Sequence, residues 1–269
     1  MDRSLVTVVI PIHLEQPNDM EKVTLAQILT VLQKHPITFM APLELNTQWY
    51  ELFCRDKANV HIERFNWKGY EGYSQLHTSP KFYQRFLRYD YILVCHLDAF
   101  VFRDELEKWC RLNYDYIGSV IYRSSWNNGM PTLMRRVANH PLLKKFIRFS
   151  APEYYSNGGF ALKKVSTFHR ITSMYQLYIN LYHGLRKIRK VGFLEDVFIT
   201  QHFPRMSLSF KIPPREIAQH FGAECVEYNE NELPFSFEEN NSLPFGIHGW
   251  IQFQKERWIP CIRKFGHLV

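Results

Sequence analysis

The chain has 269 residues, of which 46 % are hydrophobic and 22 % charged, so it is long enough and balanced enough to bury a globular core. Its 12 glycines and 14 prolines exclude a collagen-like or low-complexity chain, and every apolar stretch is too short to span a bilayer or to act as a leader. A formal net charge of +7 points to anionic partners such as nucleotides, phosphates or an anionic membrane surface, while scattered basic residues exclude the dense arm of a nucleic-acid binder.

Two basic clusters stand out, Arg135-Arg136 and Arg186-Lys187-Ile188-Arg189-Lys190, and a solvated helix face is the simplest reading of both. The five cysteines (Cys54, Cys95, Cys110, Cys225, Cys261) are odd in number and contain no C-x-x-C pair. Neither a zinc knuckle nor a disulfide framework is expected, and a reducing compartment fits best. Aromatic residues reach 16 %, which predicts an aromatic core with rings available at any cleft.

In chain order, Leu5 to Ile10 is a continuous β-branched run and predicts a strand buried on both faces, as in a parallel sheet. Met20 to Gln33 has helical spacing. Ile37 to Met40 and Val60 to Phe65 predict two further strands, giving a β-α-β-β start and a Rossmann-like layer. Pro80 to Leu87 predicts a helix with Pro80 at its first turn. Tyr91 to Asp98 predicts a buried strand whose end turns polar. Arg103 to Leu112 reads as a helix, Tyr116 begins a strand, and 126–131 reads as a loop. Pro141 to Phe149 and Ser166 to Ile188 read as helices. The tail beyond Pro213 is read as loop-rich and wrapping back over the site.

Ligands of open parallel sheets sit beyond the carboxyl ends of the strands, which selects four segments. Pro11, His13 and Glu15 follow the first strand and fit a base- or ribose-binding corner, or an ordinary loop. His96 and Asp98, two apart in an extended segment, project to one side. A carboxylate there needs a cation or a donor, met by a divalent metal or by ribose and phosphate hydrogen bonds. Asn157-Gly158-Gly159-Phe160 lets backbone approach a ligand closely, and Glu195-Asp196 in apolar surroundings suits a general base or a helix N-terminus. His248, flanked by Gly246 and Gly249 and followed by Trp250, suits a loop closing on a phosphate or metal.

Taken in order, the strand ending in Asp98, the N-G-G-F, the E-D and the H-G-W resemble a GT-A-type glycosyltransferase. More closely, Ser79 to Tyr83, Tyr91 to Phe102, Asp104-Glu105-Leu106, Trp109-Cys110 and Tyr114 to Gly118 resemble a glycosyltransferase-like family of bacterial surface-glycan clusters. The resemblance spans Val8 to Trp250. It departs from the usual D-x-D, since His96-Leu97-Asp98 keeps only the second acid.

The resemblance implies an α/β fold, with a GT-A-like Rossmann-type central sheet flanked by helices in one domain over 1–269. Residues 1–120 would form the nucleotide-binding half and 121–269 the acceptor half with its closing loop. It implies transfer of a sugar from a nucleotide-sugar donor to a glycan or lipid-linked glycan hydroxyl, with inversion, in surface polysaccharide synthesis. Asp196 would take the acceptor proton with Glu195 in support. Pro11, His13, Glu15, Asp98, Asn157, Gly158, Gly159 and Trp250 would bind donor. Asp98, His96 and His248 would hold a divalent cation, Mn²⁺ or Mg²⁺. The expected location is cytoplasmic, at the inner face of the membrane, without nucleic acid. The alternatives are a nucleotide-dependent sugar-modifying transferase, disfavoured because Pro11 to Gln16 lacks glycine, and a non-catalytic carbohydrate-binding scaffold.

Overall fold

The computed structural model describes residues 3–121, 154–189, 191–225, 235–236 and 242–269. Arg135-Arg136, the loop at 126–131, the helix at 141–149 and Lys190 lie outside the described residues.

The first half alternates strands and helices. Strand β1 (Ser4–Pro11) leads to helix α1 (Asp19–Val31), then β2 (Ile37–Pro42), α2 (Gln48–Cys54) and β3 (Val60–Phe65). Helix α1 starts at a capping box in which the Asn18 side chain accepts from the Glu21 backbone N–H and Glu21 accepts from that of Asn18. The expectation had β2 running straight to β3. Those strands are parallel, so a crossover is required, and α2 supplies it. Its aromatic run (Trp49, Tyr50, Phe53) carries no helical polar spacing that would have revealed it.

Helices α3 (Gly69–Leu76) and α4 (Pro80–Gln84) lead to β4 (Tyr89–Cys95), followed by β5 (Ala99–Val101), α5 (Leu106–Arg111), β6 (Tyr116–Ile121) and β7 (Tyr155–Lys164). Next come α6 (Val165–Met174), α7 (Gln176–Ile188), α8 (Glu195–Met206) and α9 (Arg215–Phe221). Strands β8 (Gly222–Glu224) and β9 (Gly246–His248) and helix α10 (Lys255–Arg263) follow. The single helix expected over 166–188 is two. Tyr175 leaves helical geometry, caps α6 through Ile171 O, and donates its hydroxyl to Met206 O at 2.7 Å, turning α7 onto α8. The tail is more ordered than expected, because three-residue strands such as β8 and β9 are too short to show a period.

All nine described strands join one sheet, β3-β2-β1-β4-β7-β6-β8-β9-β5. The β3-β2-β1-β4 portion is parallel, and β7 pairs antiparallel with both β4 and β6. Along β1, Val6, Val8 and Ile10 enter one apolar cluster with α1, while Val9 enters a second, Phe-rich one. Burial on both faces explains why this strand is an unbroken apolar run. The aromatic content is largely core: Phe82, Phe86, Phe168 and Phe203 are buried in the second cluster. All five cysteines are buried free thiols. Among the described residues, no helix is long and apolar enough to cross a membrane.

Candidate active site

Strands β1 and β4 are parallel neighbours with Val9 opposite Val94, so the segments after them leave the sheet side by side. Beyond Cys95 the chain turns. His96 donates its N–H to Gly159 O at 2.8 Å, and Ala99 donates back to His96 O at 3.1 Å. The distant C-terminal segment joins here through strand pairing. Ala99 lies opposite His248 across β5 and β9, and Glu224 lies opposite His248 across β8 and β9. Gly249 then turns with φ +78°, a left-handed conformation that suits glycine, and donates its N–H to Asp98 O at 2.9 Å. Ligand-capable atoms of His96, Asp98 and His248 consequently lie within 4.8 Å of one another, the one such group among the described residues.

The His248 ring is gripped from behind. Its Nδ1 lies 2.8 Å from Glu224 Oε2, and its Nε2 lies 3.1 Å from Asp98 Oδ1. Nε2 is buried, with the Asp98 carboxylate as its ion-pair partner. Burial opposes a charge on His248, but the Glu224 and Asp98 carboxylates outweigh it and hold its pKa well above the usual histidine range. Burial likewise works against ionisation of Asp98, yet His248 and His96 keep it well below the usual carboxylate range. Two carboxylates around one imidazole accept a cation: a proton on the ring, or a metal ion with the ring neutral. A carboxylate behind a histidine is also how proteins orient metal-binding imidazoles. The donor set of one carboxylate and two imidazoles therefore fits a divalent cation.

His96 is pressed the other way. Burial, then His248, push its pKa down to about 3, so its ring is neutral and can act as a ligand. Tyr73 Oη lies 2.6 Å from His96 Nε2 and orients that ring. His13 is exposed at the mouth and is near enough to add to the pressure on His96. Pro11 is half-buried at the end of β1, Glu15 is exposed on the same loop, and Tyr50 pins this loop by donating to Leu14 O at 3.1 Å.

The acidic pair opens α8, where a helix N-terminus favours negative charge. Ser74 Oγ donates to Glu195 Oε2 at 2.7 Å. Asp196 accepts from the N–H of Val197 at 2.6 Å and of Gly158 at 3.3 Å. Burial, then the adjacent Glu195 charge, push Asp196 up to about 7. Behind the pair stands Lys163, fully buried on β7, with Nζ 3.1 Å from His77 Nδ1. Burial lowers its pKa to about 8 against the pull of Glu195 and Asp196.

Asn157 to Phe160 lies within β7 as a bulge. Gly118 is opposite Ala161 but Ser119 is opposite Asn157, so Gly158, Gly159 and Phe160 have no partner on β6. The half-buried Asn157 shapes it by accepting from the Gly159 N–H at 2.7 Å. The glycines are needed for clearance. A Cβ on Gly159 would sit 2.0 Å from His248 Nε2, and one on Gly158 would sit 3.0 Å from Glu195 Oε1. The bulge is thus the shared wall of the histidine cluster and the acidic pair.

Trp250 is elsewhere, which corrects its expected place over the donor. It is fully buried, and its indole N–H donates to Thr24 Oγ1 on α1 at 3.1 Å, so the ring belongs to the core. Sequence reasoning missed Tyr73, Ser74, His77, Lys163 and Glu224. Tyr73 and Ser74 are adjacent on α3 yet serve the two different clusters, and nothing in the local pattern signals that. Glu224 lies in a three-residue strand, and only its pairing with His248 reveals it. Lys163 carried no clear signal either, because it stands beside Lys164 at the end of its strand.

Residues 58–248 match the family described as "Protein of unknown function (DUF5672)", and the chain belongs to that family. No curated protein matches the sequence significantly. Among solved structures, the chain is similar to the galactosyltransferase LgtC in complex with donor and acceptor sugar analogs, with TM-score 0.54 and 13 % identity over 98 % of this chain and 97 % of that one. It is similar to the glycosyltransferase GlyE of Streptococcus pneumoniae TIGR4, with TM-score 0.53 and 12 % identity over 96 % of this chain and 60 % of that one. It is also similar to mouse xyloside xylosyltransferase 1, with TM-score 0.51 and 10 % identity over 91 % of this chain and 97 % of that one. At such identities the likeness is one of fold: a single mixed α/β domain with a curled central sheet flanked by helices, as in GT-A-like proteins.

Proposed function

We propose that this member of the DUF5672 family transfers a sugar from a nucleotide-sugar donor to a hydroxyl of a glycan acceptor in the synthesis of a bacterial surface polysaccharide, acting on the cytoplasmic side. The observation that carries the reading is the His248 ring held between Glu224 behind and Asp98 in front, beside His96, at the carboxyl end of the central strand. Asp98, His96 and His248 are the groups that would hold a divalent cation, Mn²⁺ or Mg²⁺. Such an ion, when bound, supplies charge neutralisation for a leaving nucleoside diphosphate.

The chain's own residues perform the remaining work. Pro11, His13 and Glu15, beside His96, receive the base and ribose, and the half 1–120 is the nucleotide side. The Asn157-Gly158-Gly159 bulge brings backbone against the donor sugar. The half 121–269 presents the acceptor. Asp196 accepts the proton of the attacking hydroxyl, a role suited to a carboxyl pushed up to about 7, since a base works best with a pKa near the operating pH. Glu195, held by Ser74, positions the pair. Attack by a hydroxyl deprotonated on the face away from the leaving group inverts the anomeric centre.

The test is incubation of the protein with a panel of nucleotide sugars and Mn²⁺, reading release of nucleoside diphosphate and, with a glycan acceptor, the anomer formed by NMR. Diphosphate release from one sugar class and an inverted product are expected. Intact donors across the panel would overturn sugar transfer, and a retained anomer would remove Asp196 as the base.

A further inference from the structure

Helix α7 is apolar on two opposite faces. Its inner face is used by the fold. Ile179 is buried, the Tyr182 ring packs 4.9 Å from that of Phe198, and His183 Nε2 lies 3.0 Å from Thr78 Oγ1. On its outer face, Leu177, Leu181, Leu185 and Ile188 follow one another at i, i+4, i+8 and i+11, which aligns them in a single stripe along about 20 Å of helix. They are 84 %, 61 %, 46 % and 78 % exposed. Among the described residues, neither apolar cluster uses them.

Charge identifies what does. Residues 154–194 contain no aspartate or glutamate and seven lysines and arginines. Arg186 closes the helix end on Gly192 O. Lys187 and Arg189 are exposed, and helical geometry puts them on either side of the leucine stripe. An apolar stripe bordered by cations, in a segment without acidic residues, matches the boundary of an anionic bilayer, where headgroups meet the cations and acyl chains meet the leucines. A second copy of this chain fits poorly, because a two-fold interface would set the same cations against one another.

We propose that the outer face of α7 is an interfacial helix that docks the protein on an anionic lipid surface. The inference stands independently of sugar transfer, since it concerns binding alone. The test is sedimentation with vesicles of phosphatidylcholine, or of phosphatidylcholine and phosphatidylglycerol in equal parts. The protein binds the mixed vesicles and not the neutral ones. Leu177→Ser with Leu181→Ser and Ile188→Ser, all on the surface, lowers the partition coefficient by more than about tenfold at unchanged Tm. Lys187→Gln with Arg189→Gln lowers it about thirtyfold and removes most of its salt dependence, as two cations at about 1 kcal/mol each require. The proposal is overturned if the wild type stays in solution with anionic vesicles or if both variants bind as well as it does. It is also overturned if the stripe instead drives a dimer, seen by sedimentation equilibrium and abolished by the serine variant.

Discussion

Two groups of ionisable side chains meet at the glycine bulge of β7, and the chain treats them in opposite ways. Around Glu195 and Asp196 the protein supplies the partners itself: Ser74, the N–H groups of Gly158 and Val197, and a buried lysine behind. Around Asp98 and His248 it sets two carboxylates on one imidazole, with His248 Nε2 3.1 Å from Asp98 Oδ1. A site with more carboxylates than cations is one that a cation from outside completes. The contrast separates a cluster built to tune its own protons from a cluster built to receive a charged guest.

The sharpest way to break this contrast is to remove one carboxylate from each side. Asp196→Asn should lower turnover by about 10²–10⁴-fold, the usual range for a lost general base, with donor affinity kept. Glu195→Gln should lose less, and steady-state kinetics with matched donor affinities would show it. If Glu195→Gln is the inactive variant, the two roles are exchanged. Asp98→Asn should lower turnover by about 10²–10³-fold, as expected for a lost electrostatic contact, and should weaken donor binding too. A variant that binds nucleotide sugar as tightly as the wild type would erase the distinction.

The acidic pair also makes a prediction about pH. Asp196 titrates near 3.8 when unfolded and at about 7 when folded. Between these values the folded chain keeps a proton that the unfolded chain has lost. This contribution to stability is therefore full below about pH 4 and falls as pH rises to about 7, by a few kcal/mol. Thermal melts across this range should show Asp196→Asn gaining on the wild type as pH rises. Parallel curves would mean that the pair is not strained by burial.

Gly159→Ala sharpens the picture of the shared wall. The new methyl has no room beside His248, so it should cost about 1–3 kcal/mol and weaken nucleotide binding together with stability. An alanine variant with unaltered binding would show that His248 can give way. The smallest effect is expected at Trp250→Phe, which loses the bond to Thr24 and about 1 kcal/mol but leaves nucleotide binding alone.

What could be read in advance followed physical range. Strands β1, β2 and β4 were legible because burial on both faces writes a nearly continuous apolar run, while the partly exposed edge strand β3 still falls where Val60 to Phe65 predicted it. The return of His248 to Asp98 was legible only through a resemblance, since no local pattern connects β5 with β9. Glu224, Tyr73 and Ser74 were not legible, because each is defined by a partner across the sheet and not by its neighbours. Trp250 misled for the converse reason. Its flanking glycine and histidine are at the site, while its own side chain turns inward to α1.

The most direct test of the central claim, that the His96–Asp98–His248 cluster receives a cation and a nucleotide diphosphate together, is the thermal shift of wild type and Asp98→Asn with nucleoside diphosphate, Mn²⁺, both or neither. Binding to the folded state raises Tm by linkage. The account predicts a clear rise for the wild type with both present, little with either alone, and none for Asp98→Asn. An equal rise in the variant, or no rise in the wild type with any nucleotide, would contradict it.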